Sequence, residues 1–290
     1  MPDERPAGVP HDHAPFGPRL LAAMSQHGPL CVGVDPHPQL LSQWGLPDSV
    51  EGVARFCDGV LEAMGGRVAA VKPQSAFFER HGSGGVAVLE RLLADLRSVG
   101  TLSVLDIKRG DIGSTMGAYA QAYLEEGAPL AADAITVTPY LGTGALAPAV
   151  TLAKANGRGL FVLVLTSNPE AASVQHAGDP SVAAAVAADV AELNAGGDPV
   201  GDIGMVVGAT VGEAPARLGI DLAGANGIVL APGVGAQGAT AHDLAITFAG
   251  LEQRVLVPVS RGILSAGPTP ERLRATSEAL SAELTSKLWS

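Results

Sequence analysis

With 290 residues, of which 47% are apolar and 16% charged, the chain has the composition of a folded globular protein, and intrinsic disorder is excluded. Its formal net charge of -11 would repel a phosphate backbone, which excludes nucleic acid as a main partner but leaves room for a small anion held by local charge. The two cysteines, Cys31 and Cys57, are expected to stay free as small core residues in a reducing compartment.

The opening residues, "MPDERPAGVPHDHAPFGPRL", lack the basic start and apolar run of a secretory signal, and no later run is long and apolar enough to span a membrane. A cytoplasmic protein without membrane contact is therefore expected. His11 and His13 read as part of a solvated, Pro-rich tail rather than as a metal-binding pair. Residues 1–28 form a leader with a short helix in this reading, and 29–290 form one domain.

Beyond the leader, eight apolar runs end in polar or Gly-rich stretches: "LCVGVDP" (30–36), "AAVKPQ" (69–74), "LSVLDIKRG" (102–110), "AITVTPY" (134–140), "GLFVLVLTSN" (159–168), "IGMVVGAT" (203–210), "GIVLAPGVG" (227–235) and "VLVPVSRGIL" (255–264). Between them lie segments with helical spacing, such as "VAVLERLLADLRSVG" and the Ala-rich "SVAAAVAADVAELNAGG". Strands alternating with helices predict parallel pairing through right-handed crossovers, and eight repeats predict a single closed (β/α)8 TIM barrel of the α/β class. A doubly wound sheet would carry its Gly-rich phosphate fingerprint after the first strand, where this chain reads "GVDPHP".

In such a barrel, function gathers at the carboxyl ends of the strands, and Asp35, Lys72, Asp106, Lys108, Thr166, Ser167, Gln237 and Arg261 all fall there. Residues two apart on a strand share a face, so Asp106 and Lys108 point inward together, with Asp111 just beyond in the loop. A solvated turn would also explain a run of charges, but the preceding "TLSVL" reads as a buried strand. At the other end of the chain, the Gly-rich "APGVGAQGAT" (231–240) and "SRG" (260–262) follow strands seven and eight, where barrels often hold phosphate through backbone N–H groups and an arginine.

Together these motifs resemble orotidine 5′-phosphate decarboxylases. "DIKRGDIGST" is similar to that family's signature, and "GVDP", "VKPQ", "TSNP", "APGVGAQG" and "SRGIL" resemble its other strand ends in the same order, over roughly residues 28–265. The leader and the segment from Pro169 to about Asp202 make the chain resemble the longer bacterial variant. The resemblance implies a cofactor-free, metal-free homodimer that converts orotidine 5′-phosphate to UMP and CO2.

It also implies roles for individual residues. Lys108 would stabilise and protonate the C6 carbanion, with Asp106 orienting it and crowding the leaving carboxylate. Lys72 and Asp35 would hold the ribose hydroxyls, Ser167 the pyrimidine edge, and Gln237, Arg261 and Gly262 the phosphate. Asp111 and Thr115 would reach into the partner's site, although Thr115 could equally cap the helix that begins near it. Three rivals remain at this level. One is an aldolase or synthase with a Schiff base on Lys72 or Lys108, and another is a metal-dependent sugar-phosphate enzyme, which would want a carboxylate in place of Lys72. The third is a non-catalytic nucleotide-binding module.

Overall fold

The computed structural model describes residues 14–235 and 238–289, the side chain of Glu252 excepted. Eight strands, β1 (Leu30–Val34), β2 (Ala70–Pro73), β3 (Leu102–Arg109), β4 (Ala134–Val137), β5 (Gly159–Leu165), β6 (Ile203–Val207), β7 (Val229–Leu230) and β8 (Val255–Val259), form a closed barrel in sequence order. The pairing is parallel throughout, and β8 returns onto β1. Each strand lies inside one of the eight apolar runs, so the (β/α)8 expectation is met.

The helix α1 (Phe16–His27) precedes the barrel. Helices α2 (Val50–Met64), α3 (Gly82–Ser98), α4 (Gly113–Leu124), α5 (Ala147–Ala155) and α6 (Val182–Leu193) follow β1 to β5 in turn, α7 (Ala241–Thr247) follows β7, and α8 (Pro270–Leu288) follows β8. The crossover after β6 carries the short helix Ala214–Arg217. Local chemistry marks several starts. Ser181 accepts the Ala184 N–H at the head of the Ala-rich α6, and Thr240 with Asp243 forms a capping box on α7.

Period two sorts the strand residues between two cores. Leu30, Val32 and Val34 face the helices, whereas Cys31 joins Ala70, Val104, Ala134, Phe161 and Leu256 in the inner core of the barrel. Both cysteines are free and buried, and burial pushes the Cys31 thiol up to about 12 and raises Cys57 as well.

Helix α1 closes the end of the barrel where the strands begin. Its Phe16, Leu20 and Met24 belong to the inner core, and the Phe16 ring meets Phe161 edge-on at 6.0 Å. That approach requires a glycine at the start of β5, since a Cβ on Gly159 would lie 2.0 Å from the Phe16 ring. Arg19 secures the helix through Asp133 at 2.9 Å and the Gly157 carbonyl at 2.8 Å. The boundary expected after residue 28 thus separates chain elements that share one core. His11 and His13 lie outside the described residues.

Candidate active site

Above the apolar layer the same inward period delivers polar groups. Gly33 and Asp35 from β1 and its end, and Lys72 and Gln74 from β2 and its end, line a cavity of about 430 Å³ together with Asp106, Lys108 and Arg261. The cavity opens at the carboxyl ends of the strands, where barrel enzymes place their chemistry.

Asp106 is its centre. The residue is 7% exposed, and its two oxygens receive four donors. Lys72 Nζ at 2.9 Å and Gln74 Nε2 at 3.1 Å donate to one oxygen; Lys108 Nζ at 2.5 Å and Thr136 Oγ1 at 2.8 Å donate to the other. An ion pair near 4 Å is worth about 4 kcal/mol at an effective dielectric of 20, against a desolvation penalty of several kcal/mol for each buried ion. Two ammoniums face the one carboxylate, the buried Lys72 with the greater effect and the half-exposed Lys108 with a screened one. Burial alone would raise the Asp106 carboxyl, but Lys72 and then Lys108 outweigh it and hold the group well below the usual carboxylate range. Burial would likewise lower the Lys72 ammonium; Asp106 and then Asp35 reverse that and raise it. Both groups are charged at neutral pH.

Lys108 reaches Asp106 by a route that regular strand geometry does not provide. Leu105 pairs with Ile135 and the next paired residue, Arg109, with Val137, so β3 bulges between them. Within the bulge Lys108 takes a left-handed φ of 47°, and its side chain is 48% exposed while that of Asp106 is 9% exposed. The expected pairing of Asp106 with Lys108 is therefore present, but the simple alternation behind it breaks at Lys108.

Of the remaining expected residues, Ser167 and Arg261 line the cavity, as do Thr166 and Gly233. The strand end at Thr166 is held by the long segment after β5: Gln175 accepts the Thr166 N–H at 2.8 Å and donates to its hydroxyl at 2.9 Å. Gly262 sits in the first turn of the short helix Arg261–Leu264 and does not line the cavity. Gln237 lies outside the described residues.

Asp111 and Thr115 also stand apart from the cavity of their own chain. Asp111 accepts the Ile112 N–H at 2.8 Å. Thr115 does not cap its helix: α4 begins at Gly113 with Ile112 in the cap position and no side-chain cap, which leaves Thr115 exposed in the first turn. The capping alternative is corrected accordingly, because the chain enters the helix three residues earlier than that reading required.

Two contributors carry no role in the sequence reading, Gln74 and Thr136. Gln74 stood in the quoted "VKPQ", two residues beyond Lys72 on the inward face. Thr136 was reachable by counting two from the inward Ala134. Among the described residues, no group of three or more His, Cys, Asp or Glu is placed to hold a metal ion.

A closed (β/α)8 barrel with a charged cavity at its strand ends defines a barrel enzyme, and its array of one carboxylate between two ammoniums suits a reaction that builds negative charge beside a lysine. The family model for the orotidine 5′-phosphate decarboxylase / HUMPS family matches residues 28–276. The chain belongs to that family, and it is a carboxy-lyase. It is 56% identical over 271 residues to the orotidine 5′-phosphate decarboxylase of Salinispora arenicola, a match covering 92% of this chain and 96% of the relative. Identity to the Streptomyces coelicolor enzyme of the same name is 55% over 273 residues, covering 93% and 97%. A crystal structure from Streptomyces avermitilis that carries this name provisionally superposes with a TM-score of 0.93 at 50% identity, covering 99% of this chain and 100% of that one.

Proposed function

We propose that the cavity decarboxylates orotidine 5′-phosphate to UMP and CO2 with Lys108 as catalytic cation and proton donor, and without a cofactor. The observation that carries this reading is the Lys72–Asp106–Lys108 array, whose central carboxylate is buried and ionised. Breaking the bond from C6 to the carboxylate leaves an electron pair that the ring does not delocalise. Its stabilisation must come from fixed charge, which acts without reorganisation when the carbanion forms. Lys108 then transfers a proton to C6 and recovers one from solvent. Asp106 orients Lys108 and stands against the departing carboxylate.

The other roles are those that the family resemblance implies. The Asp35 Oδ1 atom is buried and has no hydrogen-bond partner among the described residues, so a ribose hydroxyl beside Lys72 would satisfy it. Ser167 serves the pyrimidine edge, and Arg261, Gly262 and Gln237 serve the phosphate. Binding energy from that remote group is available to assemble the reacting geometry.

Asp111 and Thr115 complete the site of a second copy in this reading, which makes the working form a homodimer. Their exclusion from their own cavity supports this. So do the exposed apolar side chains in the loops after β3 and β4, where Ile112, Tyr140 and Leu141 are 61%, 79% and 53% exposed. We place the protein in the cytoplasm; among the described residues no helix is long and apolar enough to cross a membrane.

The test is spectrophotometric. Purified protein with a chelator present should consume orotidine 5′-phosphate, and Lys108→Ala should abolish turnover while the fold survives. Activity of the variant above about a hundredth of the parent's would overturn the role given to Lys108, since loss of the proton donor removes at least that factor.

A further inference from the structure

The bulge in β3 creates a problem that one side chain solves. Between the pairs Leu105–Ile135 and Arg109–Val137, the three residues Asp106, Ile107 and Lys108 face the single residue Thr136, so the β3–β4 register is interrupted there, while on its other side Asp106 bridges Gln74 and its carbonyl accepts the Ser75 N–H at 3.2 Å. Successive amides of a strand point to opposite sides, yet the N–H groups of Ile107 and Lys108 both donate to Thr136 Oγ1 at 3.0 Å. The left-handed backbone of Lys108 makes that convergence possible. A hydroxyl has two acceptor sites and one proton. With both acceptor sites taken by amides, the proton of this 1% exposed residue is directed to its remaining partner, Asp106 Oδ1, at 2.8 Å.

We propose that Thr136 is a positioning residue of the decarboxylation: its hydroxyl closes the gap in the β3–β4 ladder and so sets where the Lys108 ammonium and the Asp106 carboxylate stand. The inference rests on the roles proposed above for those two residues. Thr136 touches no reacting atom in this account. It acts through the backbone of Lys108 and one oxygen of Asp106, while the groups assigned to ribose and phosphate come from β1, β2, β8 and the loop after β7. Losing the hydroxyl should therefore lower kcat and leave KM nearly intact.

The decisive comparison is Thr136→Val, which keeps the shape and loses the hydroxyl, against Thr136→Ser, which keeps the hydroxyl and loses the methyl. Lys108→Ala is assayed beside them, and kcat is expressed per UMP-binding site so that any unfolded fraction is removed. A lost hydrogen bond to a charged group should lower kcat of the Val chain about 10- to 100-fold, with Ser within about threefold of the parent and KM and UMP affinity within about twofold for both. A purely structural filler predicts the reverse order, because Val fills the volume and Ser does not. Parental kcat in Val, equal losses in Val and Ser, a loss carried by KM, or failure of Val to bind UMP would each overturn the proposal. Activity in Lys108→Ala would instead overturn the mechanism on which it rests.

Discussion

Asp106 governs the site because four donors fix its two oxygens and two of those donors are ammonium groups. Its folded carboxyl lies below the usual range, so its contribution to stability is complete above the unfolded value near 3.9 and is lost as pH falls toward the folded one. Lys72 works the other way. Its raised value means that its contribution holds below the unfolded value near 10.4 and is lost as pH climbs through the folded one. Stability from this pair should thus be flat from about pH 5 to 9 and fall on the acid side. In urea unfolding, Asp106→Asn should be less stable than the parent at pH 7 and show a shallower loss between about pH 5 and 3. An unchanged acid slope would mean that other carboxylates dominate.

Arg261 offers a separate residue-scale test. It is exposed at the cavity mouth and makes no ion pair among the described residues, so its guanidinium is available to a ligand. Arg261→Ala should raise KM for orotidine 5′-phosphate, and the deficit should vanish for orotidine, which lacks the phosphate. Equal deficits with both substrates would remove the phosphate role.

At the scale of elements, α1 is the piece whose importance its position in the chain conceals. Its apolar stripe fills the lower end of the barrel, and Phe16 packs edge-on against Phe161 from β5. Phe16→Ala should cost about 3–5 kcal/mol in urea unfolding, the range for deleting a buried aromatic ring, with kcat per folded site unchanged because the charged cavity lies at the opposite end. A loss below about 1 kcal/mol would show that the helix is dispensable to the core. The segment after β5 contributes differently, since its Gln175 anchors the strand end that presents Thr166 and Ser167.

For the whole molecule, a net charge of -11 coexists with a cavity lined by three cations, Lys72, Lys108 and Arg261, and two anions, Asp35 and Asp106. A substrate bearing phosphate and carboxylate is drawn by that local excess and not by the overall charge. If Asp111 serves the partner's pocket, Lys108→Ala and Asp111→Ala chains, each inactive alone, should complement after unfolding and refolding together. A mixed dimer then has one pocket with both lesions and one with neither. Random exchange makes half of the dimers mixed, so activity should recover to about a quarter of the parent's per chain under closed two-fold symmetry. Mixed dimers isolated by two tags and found inactive would remove the trans assignment and leave the decarboxylase reading standing.

The sequence by itself determined the barrel, its strand order and the identity of most charged groups in the cavity. Alternation along each strand and the spacing of strand ends are local properties, and they are written residue by residue: Cys31, Gly33 and Asp35 repeat every second position, as do Ala70, Lys72 and Gln74. Tertiary structure decided the rest. The bulge in β3 depends on the register against β4, so nothing within "LDIKRGDIGST" reveals that Lys108 leaves regular strand geometry or that Thr136 supplies the missing partner. The separation of Asp111 and Thr115 from their own cavity likewise depends on where the loop after β3 sits relative to the closed barrel. Sequence periodicity records which face a residue takes, whereas register between distant strands is fixed only when packing and hydrogen bonding across the barrel are satisfied together.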